Sequence, residues 1–303
     1  MATPDFPLPK SLSWQYHFIL WIQSFHVTWV DNVATVLSYL GTDSFYMFVL
    51  PVVFLAVSRK NGLRLAYVFL TSMFFNAWLK SALHIARPIG VPGIRSGYIS
   101  SATGLSMPSG HAQGTMTLFV ALSRWFSRKW IMWVGVVLVF GIGFSRVHLG
   151  LHWPMDILVG WGLGLFLGSA GWIIGRWWSY RGIPFQLALF FSIIFPAVLL
   201  YFNHDPLGSE YATFMFAIGT GSTLERKYVH CDLDGRWWKR ICAAVIGLGG
   251  MVAIQWILQN HLLDLPWRLV RDLLIGWWTT ILAPWLFLKI DLYKSEETSS
   301  FVS

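Results

Sequence analysis

Nine stretches of this chain are apolar over lengths close to what a lipid bilayer demands of a helix, near residues 42–57, 63–86, 108–126, 130–149, 153–175, 184–202, 210–225, 239–259 and 268–290. A crossing helix needs roughly 20 apolar residues. A backbone in hydrocarbon must also satisfy its own hydrogen bonds. The first and seventh stretches are short. The expected fold is therefore all-α, a polytopic membrane protein of about nine transmembrane helices. Charged residues are 12% of the chain, against about 25% in soluble domains.

The segment 13–40 has a different texture. It mixes Trp and Phe with Gln15, His17, Gln23, His26, Asp31 and Asn32, which suits one or two amphipathic helices lying in the membrane interface. A first true span there is the alternative. Residues 1–41 are read as an N-terminal interfacial segment and 42–202 as a helical core. Residues 203–303 are read as additional transmembrane helices with a short polar tail. That tail, SEETSS at 295–300, is expected to be disordered, and no cleavable leader is read in MATPDFPLPKSL.

The net charge of +8 does not point to nucleic acid, because the basic residues sit in short connections and form no basic face. Fifteen of the 22 Lys and Arg fall in alternate connections, and the other side holds Lys10, Lys80, Arg87, Arg95, Arg146, Arg268 and Arg271. The richer side is expected in the cytoplasm, with the N-terminus outside and the C-terminus inside. Cys231 and Cys242 are the only cysteines, and they imply no disulfide framework. Gly160, Gly164 and Gly168 recur every four residues, a spacing that lets two helices approach closely.

Three segments place polar residues near the outer ends of spans. In KSALHIARP, Lys80 and Arg87 are seven residues apart, about two helical turns, which puts both cations on one helix face. Snorkelling anchors are the plain alternative. In SMPSGHAQG, Pro108 suits a first helical turn. Ser109 and Gly110 then leave free backbone N–H groups at a helix N-terminus, an anion site by its orphan donors and dipole, with His111 beside it. An N-cap alone is the plain reading. In SRVHLGLHWPMD, Arg146 closes one span and His152 precedes the next. Asp156, one turn on, can accept from one imidazole nitrogen and leave the other as a lone pair. His148, His152 and Asp156 as a metal site is the competing reading, against which Gly150 breaks the helix. Together these groups suit a phosphoryl group: cations and N–H donors for its oxygens, a nucleophile and a proton donor.

The three segments resemble the signatures of the type 2 phosphatidic acid phosphatase (PAP2) superfamily, K-x6-RP, PSGH and SR-x5-H-x3-D, with every position filled and in order. The match is close over 80–156, and the region from Leu40 to Pro88 is similar, more weakly, to glucose-6-phosphatases. The resemblance implies that His152 attacks phosphorus and forms a phosphohistidine. It implies that Asp156 orients His152, and that His111 protonates the leaving oxygen and then activates water. Lys80, Arg87, Ser109, Gly110 and Arg146 would hold the phosphate, and no metal or other cofactor is implied. The implied substrate is a lipid phosphate: undecaprenyl diphosphate first, or phosphatidic acid or phosphatidylglycerophosphate. The implied setting is a bacterial plasma membrane, with membrane lipids as partners. Rival readings are a phosphatase for a small soluble ester, a vanadate-dependent haloperoxidase, and a transporter. At the outer end of the last span, Arg268 and Asp272 are four apart and are expected to pair, with a second headgroup contact as the alternative.

Overall fold

The computed structural model describes residues 10–25, 27–126, 128–203, 205–233, 236–261 and 264–295. The first nine residues, His26 and residues 296–300 of the polar tail lie outside them. The chain is mostly helical, with helices α1 (Lys10–Ser24), α2 (Thr28–Tyr39), α3 (Asp43–Val52), α4 (Arg59–Leu83), α5 (Gly110–Phe126) and α6 (Lys129–His148). These are followed by α7 (Pro154–Arg181), α8 (Phe185–Phe202), α9 (Pro206–Tyr228), α10 (Trp237–Leu258), α11 (Leu265–Trp277) and α12 (Ala283–Lys289). Wider π turns follow α3 at Val53–Val57 and α11 at Trp278–Leu282.

Helix occurs at each of the nine apolar stretches, but the count of nine spans is not reached on length and apolarity. Among the described residues four helices meet both criteria: Lys129–His148, Pro154–Trp177, Phe185–Phe202 and Trp237–His261. A fifth is reached if α2 and α3, bent by 52° at their junction, form one broken span. The shortfall has local causes. Helix α5 is only 17 residues long, α4 opens on the polar run RKNGLR, and α9 carries Glu210, Glu225, Arg226 and Lys227.

The chain forms two compact units, one of residues 1–46 and 75–170, the other of 47–74 and 171–303. In the first, α6 packs against α5 and α2. Helix α1 buries Tyr16, Ile19 and Ile22 against Ala112, Val147, Trp153 and Ile157. Its opposite face exposes Trp14, Phe18 and Trp21, with Phe25 just beyond its end, aromatic side chains of the kind that collect at membrane–water boundaries. The glycine stripe of α7 lies on α5. A Cβ at Gly160 would stand 2.8 Å from the Ser109 carbonyl oxygen, one at Gly164 2.5 Å from that of Gln113, and one at Gly168 3.2 Å from that of Thr117. The stripe thus holds the helix that begins beside His152 against the helix that carries His111.

In the second unit α9 packs against α8 and α11. Two-residue strands, Cys231–Asp232 and Lys294–Ser295, pair antiparallel. The expected pairing of Arg268 with Asp272 does not form. Arg268 bonds Glu210 of α9 at 2.8 Å, and Arg271 bonds both Glu210 at 2.8 Å and Asp272 at 2.7 Å. A carboxylate on a packed neighbouring helix has displaced the local i,i+4 partner.

Gly164→Leu is expected to force α5 and α7 apart, at about 1–3 kcal/mol for overpacking. Thermal unfolding of the detergent-solubilised protein should show a lowered midpoint; an unchanged midpoint would mean that the stripe is not a tight contact.

Candidate active site

The site is built on the connection between α4 and α5 and on the break between α6 and α7. Helix α4 ends at Leu83, so Lys80 and Arg87 do not share a helix face as their spacing suggests. Pro88 disfavours the helical region for Arg87, and His84 takes a left-handed conformation, φ 52°, which histidine tolerates better than most residues. The two cations are instead held by separate carbonyls. Lys80 Nζ donates to the Leu105 oxygen at 2.6 Å and to that of Ser106 at 3.3 Å. The Arg87 guanidinium donates to the oxygens of Thr103, Gly104 and Leu151 at 2.8–2.9 Å.

Helix α6 ends at His148, and Gly150 (φ 62°) turns the chain, so that His152 sits between two helices. Its side chain is 1% exposed. The Asp156 Oδ2 atom accepts from the Trp153 N–H at 2.8 Å, from Ser106 Oγ at 2.5 Å and from His152 Nδ1 at 3.2 Å. An ionised carboxylate only accepts, so Nδ1 carries the proton and Nε2 the lone pair. Arg87 donates to that Nε2 at 2.7 Å. Burial, and then the positive charges of Arg87, Arg146 and Lys80, hold this imidazole well below its ordinary range. A neutral ring with one oriented lone pair is the form a histidine nucleophile needs.

Arg146 is fully buried. Its guanidinium donates to Ser38 Oγ at 2.6 Å, to Ser101 Oγ at 2.7 Å and to the Ser101 oxygen at 3.3 Å, while its Nε has no partner among the described residues. The ion pairs among the described residues include none of Lys80, Arg87 and Arg146. Three cations around one histidine, held by neutral oxygens, form a region short of negative charge, which suits an anion. His111 stands in the first turn of α5 with a buried Nε2 that has no partner among the described residues, and it is among the groups that act electrostatically on His152. Ser109 precedes α5. Its N–H donates to the Asp156 main-chain oxygen at 3.0 Å, and its Oγ accepts from the Ala112 N–H at 3.5 Å. A hydroxyl that accepts still has a proton to give. Gly110 begins the helix, so Pro108 lies ahead of the first turn in which it was expected, and the Ser109 N–H, expected to be free for an anion, is taken by Asp156.

The histidines of the metal alternative part company. His148 Nε2 bonds Asp31 of α2 at 2.8 Å, and Asp31 is also bonded by Arg95 through both guanidinium nitrogens. Among the described residues no three His, Cys, Asp or Glu side chains gather to hold a metal ion. Several groups at the site carry no motif signal: Ser106, Ser38, Ser101 and Asn76, whose amide donates to the Pro108 oxygen at 3.2 Å and to Gln113 Oε1 at 2.8 Å. Only Ser106, two residues before Pro108, adjoins a signature. A cleft of about 380 Å³ borders Asp156, lined mainly by apolar side chains including Leu12, Trp14, Ile85, Met107 and Trp153.

Comparison with known families gives two matches: the PAP2 superfamily model over residues 61–181, and the model of a PAP2 superfamily phosphatase transmembrane extension over 209–295. Undecaprenyl-diphosphatase of Sulfolobus acidocaldarius is 27% identical over 43% of this chain and 57% of its own length. The chain thus spans little more than half of that relative. Phosphatidylglycerophosphatase B of Bacillus subtilis is 26% identical over 46% of this chain and 72% of its own. Glucose-6-phosphatase 3 of Bos taurus is 27% identical over 73% and 70%.

Ser38→Ala would leave a buried guanidinium N–H short of an acceptor, at a cost of about 1–3 kcal/mol. The expected results are a lower unfolding midpoint and weaker inhibition by orthovanadate, a phosphate mimic, as Arg146 loses its anchor. Unchanged values for both would show that Ser101 alone fixes the guanidinium.

Proposed function

Because this chain belongs to the PAP2 superfamily, we propose that it is a membrane-embedded phosphatase that hydrolyses a lipid phosphate or diphosphate through a phosphohistidine. The observation that carries this reading is His152. Its Nδ1 lies 3.2 Å from the Asp156 carboxylate and its Nε2 2.7 Å from an Arg87 nitrogen, an arrangement that suits a ring with its proton on Nδ1 and its lone pair on Nε2. On this reading the Nε2 lone pair forms a bond to phosphorus and the ester or anhydride oxygen leaves, taking a proton from His111. Water, deprotonated by His111, then attacks the phosphohistidine, frees His152 and releases inorganic phosphate. Lys80, Arg87 and Arg146 hold the phosphoryl oxygens with Ser109 and the N–H of Gly110. These donors stabilise charge that grows in the transition state, an effect worth about 10²–10³ in rate for a single donor.

A lipid is favoured over a sugar phosphate because the chain has helices long and apolar enough to cross a membrane, a setting in which hydrocarbon gains by leaving water and a hexose does not. Undecaprenyl diphosphate ranks first among lipids, by similarity to the Sulfolobus undecaprenyl-diphosphatase; phosphatidylglycerophosphate follows, by similarity to the Bacillus phosphatidylglycerophosphatase, and phosphatidic acid completes the set. A phosphatase for a small soluble ester is the second reading, favoured by the glucose-6-phosphatase match, which covers the largest share of this chain among the three relatives described. The reading includes a bacterial plasma membrane, an N-terminus outside and the site on the outer face, as the Lys and Arg distribution suggests. It also keeps nine crossings, with the catalytic core at 42–202 and additional helices at 203–303.

Phosphate release by the detergent-purified protein, assayed with EDTA present, is the test. Release from one of the lipids supports the lipid reading, and release from glucose 6-phosphate alone transfers the protein to the second reading. His152→Ala should lose turnover by about 10⁴-fold or more while still unfolding cooperatively, at a midpoint lowered by the loss of a buried, hydrogen-bonded side chain. Near-wild-type turnover in that variant would remove His152 from the mechanism.

A further inference from the structure

We infer that Ser106 is a positioning residue of the reaction, acting on His152 through Asp156; this rests on the phosphatase reading above. Ser106 lies outside the three signatures, yet it is fully buried and each of its polar groups has a partner at the site. Its Oγ donates to Asp156 Oδ2 at 2.5 Å, among the shortest hydrogen bonds at the site, and stands 3.4 Å from His152 Nδ1. Its main-chain oxygen accepts from Lys80 Nζ at 3.3 Å, and its N–H donates to the Ile85 oxygen at 2.8 Å. One residue therefore ties the segment that brings a phosphate-holding lysine to the carboxylate that orients the nucleophile.

The physical effect follows from which oxygen Ser106 engages. Asp156 Oδ2 takes three donors, whereas Oδ1 is buried with no partner among the described residues. A carboxylate with all its donors on one oxygen is fixed in rotation about its Cβ–Cγ bond. Without the Ser106 donor, the Trp153 N–H and the imidazole remain on Oδ2. The desolvated carboxylate then has less reason to present that oxygen to Nδ1 rather than to turn or take up a proton. Either change weakens the Nδ1–H bond that directs the Nε2 lone pair at phosphorus. It also withdraws negative charge from the imidazolium that develops as the phosphohistidine forms. Phosphate binding by Lys80, Arg87 and Arg146 needs none of this, so the loss should fall on kcat.

The experiment compares wild type, Ser106→Ala, Asp156→Asn, the double variant and His152→Ala as the inactive reference, in detergent. Ser106→Ala is expected to lower kcat by about 10- to 100-fold, as for removal of a hydrogen bond to a charged group. KM and inhibition by the product, inorganic phosphate, should stay within about threefold of wild type, since the loss is confined to the transition state. In the Asp156→Asn background the same substitution should cost less than about threefold, since the two residues act as one unit. Ser106→Cys, with a weaker donor of similar size, should fall between wild type and Ser106→Ala. Three outcomes overturn the inference: wild-type kcat in Ser106→Ala, a parallel rise in KM and in the phosphate inhibition constant, or losses that multiply in the double variant. Each of these would leave the phosphatase reading intact as long as wild type turns over and His152→Ala does not. An inactive wild type overturns both.

Discussion

Burying positive charge without a paired carboxylate is the constraint around which the first unit is arranged. Moving an ammonium or guanidinium out of water costs several kcal/mol unless its donors are met. Here they are met by main-chain and hydroxyl oxygens: Leu105 and Ser106 for Lys80, Thr103, Gly104 and Leu151 for Arg87, Ser38 and Ser101 for Arg146. Neutral dipoles satisfy the donors geometrically but leave the charge in place. The field of the three cations therefore converges on His152 instead of being consumed in ion pairs.

That arrangement explains why the connection from α4 to α5 is long and irregular. A helix spends most of its carbonyls on its own ladder, so it presents few of them to a guanidinium. The extended and left-handed stretches between residues 84 and 109 expose carbonyls at Thr103, Gly104, Leu105 and Ser106 in succession, and all four are used. Such a stretch needs external support, and the N-terminal helices supply it. Tyr16 donates to the Pro92 oxygen at 2.9 Å, and Gln23 brackets Arg95 through both its main-chain groups. Gln15 accepts from the Met155 N–H at 3.0 Å. Asp31 joins Arg95 to His148, and Ser38 joins α2 to Arg146. Polar residues that read as the wet face of an interfacial segment are in several cases spent on protein contacts, while the face left exposed is aromatic.

What was legible in the sequence was whatever depends on local spacing. The four-residue glycine repeat, the break at Gly150 and the His152–Asp156 offset each concern neighbours along the chain, and each is found in the structure. What failed was spacing carried across a point where the helix stops. Counting turns puts Lys80 and Arg87 on one face, but Pro88 with His84 ends the helix between them. Arg268 and Asp272 were paired by the same count, and Glu210, 58 positions away from Arg268 in the sequence, took the arginine. Ser38, Ser101 and Asn76 were out of reach for a further reason. A serine or asparagine, whether in an apolar helix like Ser38 and Asn76 or in a connection like Ser101, has many uses, and only the arrival of a distant partner decides which applies.

The contact between Arg87 and His152 bears on how the resting site relates to the reacting one. A guanidinium N–H donated to the Nε2 lone pair at 2.7 Å occupies the electrons that would attack phosphorus. It is, however, a bond to a neutral acceptor, and an oxyanion accepts from arginine roughly twice as strongly, often through two parallel bonds. On the proposed reading, a phosphate entering among the three cations competes for Arg87 and releases Nε2 as it binds. The remaining Arg87 bonds to Thr103, Gly104 and Leu151 keep the guanidinium near while that exchange takes place. The same residue then serves first as a cover for the nucleophile and next as a ligand for its target, and the unmasking of His152 is coupled to the presence of the group it attacks.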